Sequence, residues 1–120
     1  MNFSIFIRSC PHTSPGSKSA ILFTKALFIN HSSHSIDRVF FYLDAVQHAN
    51  IYTIIPTDEI DLSQEWSHLS SKYNFSLHVC STSAERYGII KNKNLNKNFI
   101  LSGLGQLSDA ILTSDKVIEF

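Results

Sequence analysis

Apolar residues fall along this chain in short runs, and the spacing inside each run changes from one to the next. NFSIFI (2–7) is a compact β-prone run at the start. RSCPHTSPGSKS (8–19) is dense in Pro, Ser and Gly and predicts a loop. AILFTKALFIN (20–30) is long enough for a helix and apolar around most of its circumference, so it predicts burial on several sides, by its own sheet or by a partner. HSSHS ends it. RVFFYL (38–43) is continuous and aromatic, the pattern of a strand covered on both faces in a parallel sheet.

DAVQHAN (44–50) predicts a short helix after that strand, and IYTIIPTDE is ambiguous because Pro56 interrupts any regular element. In 61–73, Leu62, Trp66, Leu69 and Tyr73 recur at helical spacing, and Asp61 with Gln64 resembles a capping box. FSLHVC (75–80) alternates and predicts a strand. STSAERYG (81–88) predicts a short helix, with Gly88 as its stop. KNKNLNKN (91–98) is a polar loop. FILSG (99–103) is a candidate strand, 104–115 a helix with Leu104, Leu107 and Ile111 on one side, and KVIEF a last strand. Strands alternate with helices and no hairpin signal intervenes. The expected fold is therefore α/β, a three-layer sandwich with a mostly parallel sheet and helices on both faces.

Composition narrows the classes. A chain of 120 residues fits one domain, 1–120, with 43% hydrophobic and 17% charged residues. Lys plus Arg total 10 and Asp plus Glu total 10, so the formal net charge is zero. That argues against direct nucleic-acid binding, which normally brings a basic excess. No stretch approaches the roughly 20 apolar residues of a membrane span. The opening MNFSIFIRSCPH lacks a basic n-region, so a cytoplasmic location is expected, with the two cysteines as free thiols.

The chemistry to weigh centres on Cys80. It falls at the carboxyl end of a predicted strand, where ligands and reactive groups gather in parallel α/β sheets. Thr82 and Glu85 have capping-box spacing and predict a helix starting at Thr82, just past the thiol. A helix N-terminus, with Arg86 about one turn in, favours a thiolate nucleophile. A buried structural thiol fits the same residue equally well. Cys10, beside Pro11, is a lesser candidate as a resolving cysteine. His31 with His34, and His78 with Cys80, have spacings that suit a metal, but no second Cys/His cluster has zinc-site spacing, so no metal and no cofactor is expected. His78 is also a candidate for tuning Cys80. SGLGQL is a poor nucleotide loop, since it is not G-x-G-x-x-G and lies late in the chain. RSCPHTSPGS is the one candidate phosphate loop for a flavodoxin-like, small-ligand-binding alternative.

Several stretches together resemble the DsrE-type sulfur-carrier family: FFYLDAVQHAN, LHVCSTSAERYGI and LSGLGQLSDAILTSDKVIEF, in that order, with NFSIFI and its loop before them. The resemblance implies an α/β/α fold around a five-stranded parallel sheet and a sulfurtransferase that carries sulfur as a persulfide on Cys80. It implies assembly with TusB-like and TusC-like subunits into a heterohexamer. Sulfur would come from a TusA-like donor and go to a TusE-like acceptor, ending in 2-thiouridine at the tRNA wobble position. Cys10 and the polar STSAER after Cys80 depart from the family's pattern. The alternatives are a non-catalytic structural subunit of a hetero-oligomer and the small-ligand domain.

Overall fold

The computed structural model describes residues 1–29 and 33–120. Five strands, β1 (Asn2–Ile7), β2 (Ser35–Phe41), β3 (Ser76–Cys80), β4 (Phe99–Ser102) and β5 (Lys116–Glu119), form one sheet in the order β4-β3-β2-β1-β5. Every pairing is parallel. The chain steps from β1 to β4 in one direction, then returns past β1 to place β5 at the opposite edge. Right-handed crossovers then put the last helix on the face opposite the others.

Alternation along the strands assigns the two faces. Phe41 packs edge-on to Trp66 of α2 (Leu62–Tyr73), and Phe3 edge-on to Phe23 of α1 (Gly16–Leu27). On the other face, Arg38 donates from Nη1 to the side chain of Gln106 in α4 (Gly105–Thr113), at 2.7 Å. Val39, Phe40 and Phe41 are all buried, as expected of the central strand. The core is contiguous from Ile5 and Ile7 through Val39 and Phe41 to Leu77 and Val79. Full burial of side chains this size is worth roughly 1.5–3 kcal/mol each.

Local chemistry sets the element ends. Asp61 caps α2 by accepting from the Gln64 N–H at 3.2 Å, and Asn74 closes that helix in the left-handed region. A 3-10 helix (Leu43–Ala49) replaces the short helix expected after β2. The helix expected over 20–30 instead begins at Gly16, four residues early, and buries only one face, with Ser17, Ala20, Ile21 and Thr24 inward. Leu22 is 67% exposed, so within this chain the helix is not covered on several sides. The end expected at Asn30, and His31 after it, lie outside the described residues. The segment 50–61 is irregular up to the start of α2 and leaves Tyr52, Ile54 and Ile60 exposed.

Candidate functional site

β3 delivers Cys80 to the carboxyl edge of the sheet, and α3 (Ser81–Arg86) starts at the next residue. The helix start expected at Thr82 is thus one residue early, and the Thr82–Glu85 capping box does not form. Cys80 itself is the N-cap residue, with extended backbone and no side-chain capping bond. The unpaired first-turn N–H groups therefore open toward the thiol's end of the helix. Gly88, at φ +69°, takes the left-handed turn past the helix end that an L side chain resists.

The thiol is 4% exposed and lines a cavity of about 170 Å³. Arg86, an exposed residue, lines the same cavity. Leu43 forms part of the opposite wall with φ at +53°, a conformation uncommon for a branched side chain. Its N–H donates to Ser83 Oγ at 3.2 Å, which ties the end of β2 to the helix that carries the thiol's neighbours. Strained backbone of this kind concentrates at functional sites.

Parallel register sets Cys80 beside Ser102, the last residue of β4, and both residues line the cavity. His78 stands two residues before Cys80 on the same face. Its Nδ1 bonds Ser102 Oγ at 2.7 Å and its Nε2 bonds Ser76 Oγ at 2.9 Å. Burial lowers the His78 pKa, the nearby Arg38 cation lowers it further, and Asp37 opposes both. A neutral ring held at both nitrogens is not poised as a metal ligand. Among the described residues no cluster of three His, Cys, Asp or Glu side chains has metal-binding geometry. His34 packs edge-on to Phe3, well away from Cys80 in the fold.

Cys10 remains a free thiol, as does Cys80. It accepts a long contact of 3.8 Å from Gln47 Nε2 and does not line the Cys80 cavity. A larger cleft, about 500 Å³, lies between the β1–α1 loop and the 50–64 segment. Buried His48 forms part of its wall, with Nδ1 2.6 Å from the Ala45 carbonyl oxygen and Nε2 bonded to Ser17 Oγ. Burial pushes the His48 pKa down to about 4. The RSCPHTSPGS loop lines this cleft, but its glycine serves packing: a Cβ on Gly16 would collide with the Ser9 side chain. That is unlike a phosphate loop, whose glycines let a ligand approach backbone N–H groups. Cys80, the candidate nucleophile, lines the smaller cavity, so the chemistry is sought there.

Leu43 is absent from the residues singled out by sequence, and Ser102 figures there only as the first residue of SGLGQL, a stretch that could border the Cys80 site and whose Ser102, Gly103 and Leu104 do line its cavity. Ser102 carries one legible signal, since FILS ends as a strand just before a glycine, as LHVC ends just before a helix. Parallel pairing of two such ends sets Ser102 beside Cys80. The left-handed Leu43 has no such signal.

With the site built, kinship decides its class. A model of the DsrE/DsrF-like family matches residues 1–120. The chain belongs to the DsrE/DsrF-like family. Proteins similar to this DsrE/DsrF-like chain include the Sulfurtransferase TusD of Buchnera aphidicola subsp. Baizongia pistaciae, 36% identical, and that of Cronobacter sakazakii, 35% identical, each match covering all of both chains. The Sulfurtransferase TusD of Proteus mirabilis is 40% identical over 85% of each chain. Among solved structures, the ychN protein from E. coli superposes with a TM-score of 0.84 at 22% identity, covering 100% of this chain and 99% of that one. A protein of unknown function from Methanobacterium thermoautotrophicum gives 0.76 at 16% identity, covering 99% and 98%. At those identities the two structures speak for the DsrE/DsrF-like fold alone. The relatives' common name puts the chain among the sulfurtransferases.

Proposed function

We propose that residues 1–120 act as one sulfur-carrier domain and that Cys80 is its persulfide-bearing residue. The observation that carries this reading is the position of Cys80: a thiol at the carboxyl end of a parallel strand, at the mouth of a helix, lining a cavity with Arg86 in its wall. The kinship with sulfurtransferases supports it. In the proposed cycle the Cys80 thiolate attacks the outer sulfur of a donor persulfide. The donor's S–S bond breaks, the donor leaves as a thiolate, and Cys80 becomes Cys–S–SH. An acceptor thiolate then attacks that terminal sulfur, and Cys80 departs as the thiolate. Each step exchanges one S–S bond for another, with no net oxidation. First-turn N–H groups and Arg86 favour the anion that opens and closes the cycle.

The finer assignment is part of the same proposal and follows the family resemblance of the sequence. The donor is TusA-like, the acceptor TusE-like, and the end product 2-thiouridine at the tRNA wobble position. TusB-like and TusC-like subunits complete a cytoplasmic heterohexamer. Exposed apolar side chains on α4 support a partnered chain: Ile111 is 58% and Leu112 82% exposed. Zero net charge supports handing sulfur to proteins rather than holding tRNA.

One observation favours a second reading, a non-catalytic structural subunit: Cys80 is almost shut off from solvent. Two measurements separate them. Cys80→Ser should abolish tRNA thiolation in cells while the protein still folds and co-purifies with its partners. Native Cys80 should alkylate at a rate set by its own pH dependence rather than by global unfolding. Thiolation that survives Cys80→Ser would leave only the structural role.

A further inference from the structure

The buried hydroxyl of Ser102 and the ring of His78 form a chain that ends at the cavity Cys80 also lines. Ser102 is 8% exposed, lines the Cys80 cavity, and sits at the paired position on the adjacent strand, where Cα atoms stand about 4.8 Å apart. Its oxygen meets His78 Nδ1 at 2.7 Å. The other protein acceptor for its hydrogen is the Ile100 carbonyl at 3.4 Å, long for an O–H···O bond. Ser81 Oγ donates to the Ser102 carbonyl at 3.1 Å and fixes the backbone there. Beyond the ring, Ser76 Oγ lies 2.9 Å from Nε2.

A neutral imidazole has one donor and one acceptor nitrogen. Two proton arrangements are therefore open to this chain. In one, Ser76 donates to Nε2, Nδ1–H donates to Ser102, and the Ser102 hydroxyl is left to donate into the cavity. In the other every hydrogen points the opposite way. An anionic sulfur beside Ser102 selects the first.

We propose that Ser102 donates a hydrogen bond to the Cys80 sulfur when that sulfur is anionic, with His78 as the positioning residue that fixes the direction of the donor. This rests on the sulfur-carrier reading and deepens it, because it names what receives the negative charge at the start and end of each transfer. The lowered pKa of His78 agrees, since a ring kept neutral retains the acceptor the chain needs. The charged neighbours of this chain are Arg86 from α3 and the Arg38–Asp37 pair from β2, at 2.6 Å. β4 (FILS) carries no titratable side chain, and α4 contributes uncharged Gln106, which holds Arg38.

The test is the pH profile of Cys80 alkylation by iodoacetamide, run with sulfur uptake from glutathione persulfide. Parent, Ser102→Ala, Ser102→Thr, His78→Phe and Cys80→Ser are compared. Removing a donor to a charged group should slow Ser102→Ala about tenfold near pH ~7. The deficit should close or reverse as pH rises, because the less stabilised thiolate is the more nucleophilic one. Threonine restores the hydroxyl and should restore most of the rate. His78→Phe should show a smaller loss of the same form, and it carries the test if Ser102→Ala does not fold. A parent-like profile for Ser102→Ala overturns the proposal, as does an equal slowing at every pH or a threonine that behaves as alanine. Cys80→Ser reads the carrier hypothesis separately: uptake that survives it sinks that hypothesis, whereas uptake lost there with a parent-like Ser102→Ala sinks this inference alone.

Discussion

As the proposed sulfur carrier, Cys80 would face two demands that pull apart: a nucleophile must be reachable, and a persulfide must be kept from stray thiols. A thiol 4% exposed in a cavity of about 170 Å³ answers the second and leaves the first to the cavity's walls. Leu43 is one of those walls and holds a left-handed backbone. Leu43→Gly relieves roughly 1–2 kcal/mol of backbone strain and gives up the packing of a side chain already 38% exposed. Denaturant unfolding should find stability changed by no more than about 1 kcal/mol, with native-state alkylation of Cys80 faster; slower alkylation would mean that Leu43 does not gate the cavity. The thiol's place was legible from sequence because β alternation ran into a polar helical start at residue 81. Ser102 was legible only as a strand end before a glycine; its pairing with Cys80 was not, because it lies 22 residues away and meets Cys80 only through strand register. Leu43 was not, because nothing in a leucine announces positive φ.

At the scale of elements, alternation and helical spacing carried most of the architecture, and caps carried less. The Asp61–Gln64 signal is real on one side, with the Asp61 carboxylate accepting from the Gln64 N–H. Asp61→Ala should therefore cost about 1 kcal/mol in chemical denaturation and leave sulfur transfer unchanged. The Thr82–Glu85 signal has the same spacing and no cap, because β3 runs directly into α3 and Cys80 already occupies the N-cap position. Helical spacing also placed the first helix too late. Its opening turn is Gly16, Ser17 and Lys18, without apolar periodicity, and Ser17 is buried because His48 bonds it. A polar residue buried by a partner 31 positions away leaves no mark in a hydrophobic pattern.

At the scale of the molecule, the all-parallel sheet follows from strand–helix alternation, whereas the strand order does not: the placement of β5 beside β1 is a tertiary choice. The buried Ser17–His48 pair lends the whole fold a pH dependence. His48 titrates near 4 when folded, against 6.5 for the unfolded side chain. Between those values the unfolded chain binds the extra proton, so stability rises with pH through that window. It is fully present above about pH 6.5 and should fall by roughly 3 kcal/mol on descending to pH 4. Urea titrations across the window should give that slope, and His48→Gln should flatten it; an unchanged slope would remove His48 as its source. The formal net charge of zero makes a second prediction, no gel shift of tRNA by the isolated chain at physiological salt. The most direct test of the central claim is mass spectrometry of the protein after incubation with a persulfide-loaded donor. The account predicts one added sulfur atom on the Cys80 peptide, released by reductant, absent in Cys80→Ser and unaffected by Cys10→Ser. No added sulfur on Cys80 in the presence of the proposed partner subunits, or sulfur found on Cys10 instead, would contradict it.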